Sequence, residues 1–307
     1  MYSDMKILIT GSSGTIGTRL CEKLLEQNYL IICTDIKHNV WNNKVDGVTI
    51  IGDLRDKEMI KKLPKEIDMV IHFAANARVH DTVCDPSLAR DNLEILFNIL
   101  EYCRQNNIKR IVFASSREIY GNSDKILHSE CDVDIEDCKS PYAASKIAGE
   151  TLIYSYHQCY GIDFIITRFS NVYGMYDISD RVIPLFIKLT KSNKDLIIYG
   201  KDKLLDFTYI DDTVLGILKC IENFDQIRND IFNISSGKGI TIFEVAQLIQ
   251  KNMSVNNKII IDNNRTGEVI RFIGDISKMK NILKYEPMTD IEEGINRSIN
   301  WYKENIM

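Results

Sequence analysis

Lys6-Ile7-Leu8-Ile9-Thr10-Gly11-Ser12-Ser13-Gly14-Thr15-Ile16-Gly17 decides how the rest of the chain is read. Residues 6–10 form a short apolar run of the kind that becomes a parallel strand buried on both faces. Three glycines follow, and residues 19–27 then carry a helical pattern. Glycines at such a turn permit tight backbone geometry. They also let a pyrophosphate approach the helix N-terminus, where free N–H groups and the helix dipole favour negative charge. A second apolar run, Tyr29 to Thr34, ends in Asp35. An acid at that strand end accepts hydrogen bonds from both hydroxyls of an adenosine ribose and repels a 2′-phosphate. Strand, glycine loop, helix, strand and acid in this order predict a site for NAD rather than NADP.

The alternation continues. Val48 to Ile51 reads as a third strand, Asp68 to Phe73 as a fourth, Arg110 to Ala114 as a fifth and Ile162 to Phe169 as a sixth. Helical stretches separate them, including a long amphipathic one at 86–106. This spacing predicts an α/β, Rossmann-type doubly wound parallel sheet with ligands at the carboxyl ends of its strands. Ser116 follows the fifth strand directly and so faces that crevice.

Composition narrows the function classes. The 307 residues suffice for one large α/β core, and with 45% apolar and 26% charged residues the composition is that of a globular enzyme. A net charge of −5 disfavours nucleic acid and anionic membranes as partners. Eight cysteines without Cys-x-x-Cys spacing predict buried free thiols in a reducing compartment, and five scattered histidines predict no metal site. No apolar run approaches the length of a membrane span, so the expected location is the cytoplasm.

Ser140-Pro141-Tyr142-Ala143-Ala144-Ser145-Lys146 is the chemically loaded stretch. Tyr142 and Lys146 are four apart and share one face of a helix. A free phenol titrates near pH 10, too high for a base in a cell, but an ammonium about 4 Å away favours the phenolate. The pair reads as a proton-transfer device, with a serine hydroxyl as its second arm on a substrate oxygen.

The chain resembles the extended short-chain dehydrogenase/reductase family of nucleotide-sugar epimerases and dehydratases. Its motifs here are Gly11, Gly14 and Gly17; Asp53-Leu54; His72-Phe73-Ala74-Ala75; Ser115-Ser116 with Tyr120-Gly121; and Tyr142 with Lys146. Arg168 to Gly174, Asp206 to Asp212, and Gly267-Glu268 extend the likeness through the second half. The resemblance implies that Tyr142 is the base, that Lys146 is its partner and a ribose contact, and that Ser116 positions the sugar oxygen. It implies a cofactor cradle of Gly11, Ser13, Gly14, Thr15, Ile16, Gly17, Asp35, Asp53, Leu54, Phe73, Ala74 and Ala75. Asn171, Arg181, Lys203 and Arg265 are implied contacts to a nucleotide-diphosphate sugar. A smaller substrate lobe is expected at 171–307 beside an NAD-binding domain at 1–170, with segments near 207–235 rejoining the large domain. The helices near 86–106 and 144–160 are expected to form a homodimer interface.

Two departures bear on the reaction. Dehydratases of the family carry an Asp-Glu pair where this chain has Arg117-Glu118, and a guanidinium does not act as a general acid near neutral pH. Many relatives carry an arginine where this chain has Leu205. The expected reaction is C4 epimerisation of a UDP-hexose or UDP-hexuronate through a transient 4-keto sugar. The alternatives are decarboxylation or dehydration using Glu118, and a catalytically silent dinucleotide sensor.

Overall fold

The computed structural model describes residues 5–306. Along the first half run β1 (Lys6–Thr10), α1 (Thr15–Glu26), β2 (Leu30–Asp35), α2 (Asn43–Gly47), β3 (Thr49–Ile51), α3 (Lys57–Ile60) and β4 (Met69–His72). Then come α4 (Val79–Cys84), α5 (Ser87–Gln105), β5 (Arg110–Ser116), β6 (Leu127–His128), α6 (Pro141–Tyr160) and β7 (Asp163–Phe169). The second half holds β8 (Asn171–Tyr173), α7 (Val182–Lys191), β9 (Leu196–Tyr199), β10 (Leu204–Tyr209), α8 (Ile210–Glu222), α9 (Phe224–Ile227) and β11 (Asp230–Ile234). It ends with β12 (Gly239–Thr241), α10 (Ile242–Met253), β13 (Ile259–Asp262), β14 (Arg271–Gly274), α11 (Ser277–Leu283) and α12 (Ile291–Asn305).

Seven strands form a parallel sheet in the order β11-β7-β5-β4-β1-β2-β3. The period of two in β1 explains why the sheet needs covering twice. Ile7 and Ile9 face one apolar layer with Leu20, Leu24 and Val214, while Leu8 faces the other with Leu96, Ile99 and Ile153. All three strand residues are fully buried, each contributing about 1.5–3 kcal/mol relative to exposure. Strand order reverses at β1, so the carboxyl ends of β1 and β4 splay into the crevice where ligands of open α/β sheets bind.

A second layer holds β12-β10-β14-β6, with β8 beside β10, and a separate β13-β9 pair. It packs around Phe186, Phe207, Phe272 and Ile295. The boundary expected at residue 170 is crossed in both directions. β6, from the first half, pairs with β14, while Met279, Leu283 and Tyr285 near the C-terminus pack under the large sheet. Within 207–235, α8 and β11 lie on the large sheet. β10 does not, because its hydrogen bonds go to β8, β12 and β14. The cysteines also divide: Cys21, Cys33, Cys103 and Cys220 are buried, whereas Cys84, Cys131 and Cys159 are exposed. Among the described residues no helix is long and apolar enough to cross a membrane.

His72, at the end of β4, bears on acid stability. Burial and the nearby Lys146 push its pKa down to about 3, and its Nδ1 is 2.8 Å from Thr10 Oγ1. The unfolded imidazole takes a proton near pH 6.5 and the folded one does not, so His72 supports the fold above that pH. Its contribution is lost as pH falls from 6.5 toward 3, at up to about 1.4 kcal/mol per pH unit. Urea titrations between pH 7 and 4 should show a shallower loss in His72→Gln than in wild type; parallel slopes would remove His72 from the acid response.

Candidate active site

The glycine loop joins β1 to α1 in a shape that only glycine permits at two positions. Gly11 has φ +72°, and a Cβ there would meet the Ala74 nitrogen at 2.7 Å; a Cβ on Gly17 would meet the Gly11 oxygen at 2.2 Å. The first turn of α1 has no side-chain cap and no acidic residue, leaving its N–H groups for an anion. Asp35 is buried and pins this loop: its carboxylate accepts from Ser13 N–H at 2.9 Å and Lys37 N–H at 3.2 Å. Thr15 Oγ1 donates to the Tyr176 carbonyl at 3.5 Å, and Ile16 packs against both neighbouring cores. Phe73 stacks edge-on against Phe169, and the Ala74 N–H donates to Thr10 Oγ1 at 3.2 Å, with Ala75 next in the chain. Asp53 is chelated by Arg55, which also reaches Asp91 at 2.5 Å, while Leu54 is buried in the core. This cradle fits a dinucleotide.

Beside it, Ser140 caps α6 by accepting from Ala143 N–H at 3.1 Å, and Pro141 opens the first turn. Tyr142 is thereby fixed one residue into the helix, against the carboxyl end of β5, where Ser116 favours ionisation of its phenol. Lys146 follows one turn later on the same helix. It is tethered to the strand end, donating to the Ala114 carbonyl at 2.8 Å, with its Nζ 5.8 Å from the Tyr142 ring centre and 4.9 Å from that of Phe113. Burial raises the Tyr142 phenol, opposed by the Ser116 hydrogen bond and the fields of Arg181 and Arg117. Burial likewise lowers Lys146 to about 8.

The turn after Ser116 carries a buried ion pair. Arg117 Nη2 meets Glu118 Oε1 at 2.7 Å, and Arg117 Nε donates to Asn171 Oδ1 at 3.1 Å. Burial pushes the Glu118 carboxyl up, against the pull of Arg117. Asn171 is held at both ends of its amide, since its Nδ2 donates to the Asp206 carbonyl at 2.8 Å. Lys203 pairs with Glu268 close to Glu118. Arg181 leans toward Tyr142, anchored to Asp177 at 3.6 Å and to the Ala77 carbonyl. The Arg265 guanidinium lies 3.8 Å over the Tyr199 ring. Leu205 faces the core of the smaller layer.

Two supports have no signature in the sequence reading. Asn92 ties α5 to the catalytic turn: it exchanges hydrogen bonds with the Asn76 backbone and donates to Ser145 Oγ, which donates to the Tyr142 carbonyl at 2.7 Å. Beneath Ser115 lies a second network. Glu150 accepts from Ser115 Oγ at 2.5 Å and from Arg168 at 2.7 and 3.0 Å. Arg168 Nη1 also donates to the Tyr120 hydroxyl, which donates to Asn233.

A family model described as the NAD-dependent epimerase/dehydratase family matches residues 7–235. The chain belongs to that family. The chain is 32% identical to a UDP-glucuronate 4-epimerase of Thermodesulfobacterium geofontis, over 97% of this chain and 96% of the relative. The Thermus thermophilus UDP-glucose 4-epimerase, solved with NAD, superposes with a TM-score of 0.90 at 28% identity, over 98% of this chain and all of that one. A dTDP-glucose 4,6-dehydratase from Streptomyces venezuelae, solved with NAD and TYD bound, also gives 0.90 at 26% identity, covering 98% of both chains. NAD is the cofactor of the family. Gly17→Ala must displace the Gly11 carbonyl, so the purified variant should carry at least tenfold less NAD, read from its absorbance spectrum with circular dichroism as the folding control. Undiminished NAD would show that the loop has slack.

Proposed function

We propose that this protein is an NAD-dependent nucleotide-sugar C4 epimerase acting on a UDP-hexose or UDP-hexuronate. The carrying observation is the convergence of Ser116 and Tyr142 at the end of β5, with the Arg117–Glu118 turn next in the chain and Lys146 bound to the Ala114 carbonyl. Bound NAD supplies reversible hydride transfer at the sugar C4. Ser116 holds the C4 oxygen while Tyr142 takes its proton and later returns it. The fields of Arg117 and Arg181 hold down the charge cost of the phenolate, and the Lys146 ammonium, 5.8 Å from its ring centre, adds to them. Arg117, permanently charged, leaves the site without the acid that elimination requires. Support for the uridine nucleotide comes from the relatives' own substrates. Phe97, Tyr154 and Tyr160, exposed on α5 and α6, support a homodimer through that helix pair.

A second reading is favoured by Glu118, whose carboxyl is raised by burial and whose field reaches Tyr142. After C4 oxidation it could serve as a base or acid for decarboxylation or dehydration. NMR analysis of UDP-glucose, UDP-glucuronate and their N-acetyl analogues after incubation separates the two. Inversion at C4 supports the epimerase, and released CO₂ or a 6-deoxy-4-keto product replaces it with the second reading. No turnover with NAD retained would leave a dinucleotide sensor.

A further inference from the structure

Arg117 and Glu118 sit on the single helical turn that leaves the end of β5, directly after Ser116. Both are more than nine-tenths buried, at 8% and 6% exposure. Each keeps one buried polar atom without a hydrogen-bond partner among the described residues: Nη1 of Arg117 and Oε2 of Glu118. The facing atoms are already committed, Nη2 to Glu118 Oε1 and Nε to Asn171. Buried polar atoms left unpaired are costly, and two of them on adjacent side chains beside a reacting phenol call for a ligand group.

The two atoms make opposite demands. The guanidinium N–H needs an acceptor, and the carboxylate oxygen needs a donor. An alcohol meets both demands with one oxygen. A carboxylate offers acceptors only and sets negative charge against Glu118. The wider field does not favour an anion either. Lys203 and Glu268 are the other charges that bear on Glu118, so two cations face two anions.

We propose that Arg117 and Glu118 form a specificity fork for a neutral hydroxyl flanking the reacting sugar carbon, selecting a UDP-hexose over a UDP-hexuronate. The fork rests on the epimerase reading and narrows it, because the two substrate classes differ at the C6 group beside the C5–C4 bond. Asn171 is a positioning residue here, holding the guanidinium edge that carries Nη2 away from the free Nη1.

The test uses NAD-loaded Tyr142→Phe protein, which binds without turnover, titrated with UDP-glucose and with UDP-glucuronate; wild-type kcat and KM are measured alongside. UDP-glucose should bind roughly a hundredfold more tightly, since a site built to hydrogen-bond a hydroxyl rejects the group that cannot complete it. Adding Glu118→Gln should compress that ratio at least tenfold, with wild-type discrimination residing mainly in KM. Equal affinity, preference for UDP-glucuronate, or a ratio unmoved by Glu118→Gln overturns the fork. The wild-type comparison needs no variant, so a folding defect in Glu118→Gln does not shield the proposal. Inversion of UDP-glucose with a flat ratio overturns the fork and leaves the epimerase standing. Preference for UDP-glucose without inversion does the reverse, and failure to bind either sugar overturns both.

Discussion

Tyr142→Phe lowers kcat by roughly 10²–10⁴-fold while the protein stays folded and keeps its NAD. The substitution removes one oxygen and leaves the ring, which is buried beside Lys146 and the Phe113 ring it covers. What is lost is the hydroxyl whose ionisation Ser116 favours. Three neighbours at this end of β5 do not take its role. Ser116 lacks a base of its own, Lys146 is turned to the Ala114 carbonyl, and Arg117 holds its protons at any working pH. The phenol is raised by burial within the chain, so its ionisation leans on every positive field that reaches it, Arg181 and Arg117 included. Turnover followed by NMR, with bound NAD read by absorbance, checks the result. A rate near wild type would take the base assignment away from Tyr142.

Glu150→Ala unfolds the protein more readily by about 3–5 kcal/mol, because it strands a buried charge. The Glu150 and Arg168 side chains are 10% and 4% exposed, and their bidentate contact is the centre of the network that reaches Ser115, Tyr120 and Asn233. Without the carboxylate, Arg168 keeps only the Tyr120 hydroxyl and the Glu130 carbonyl. The double variant Glu150→Leu/Arg168→Met should be much less destabilised than the sum of its single changes, since removing both charges removes the uncompensated one. Urea denaturation of the four proteins measures this; strict additivity would mean that water reaches Arg168 and the pair is not buried in solution.

Local chemistry was legible in the chain where one short segment carries it. The apolar run before Gly11, the acid at Asp35, the strand end at Ser116 and the cap at Ser140-Pro141 each announce themselves within a few residues. Sheet class followed from the spacing of such runs. What spacing cannot carry is the pairing of segments far apart. Arg117 is clamped by Asn171, Glu118 feels Lys203 and Glu268, and β6 pairs with a strand nearly 150 residues away. Within a single helix, the spacing of Lys146 from Tyr142 does not announce the Ala114 carbonyl that its ammonium also meets. Within 207–235, α8 and β11 join the large sheet as expected, while the last three residues of β10 pair with β8.

The late arrival of β11 at the rim of the large sheet also governs how the chain is made. β7 exposes a full edge of backbone donors and acceptors until residues 230–234 pair with it. At roughly 5–20 residues per second, a ribosome takes about 3–13 s to pass from the end of β7 to the end of β11. For that interval the nascent chain holds an open edge along Phe164, Ile165 and Ile166, three residues that are fully buried in the finished protein. A truncated message ending near residue 170 fixes the molecule in that sticky form. The chain therefore divides poorly for expression in pieces, and chaperone demand during synthesis falls only once the rim strand of its large sheet has cleared the exit tunnel.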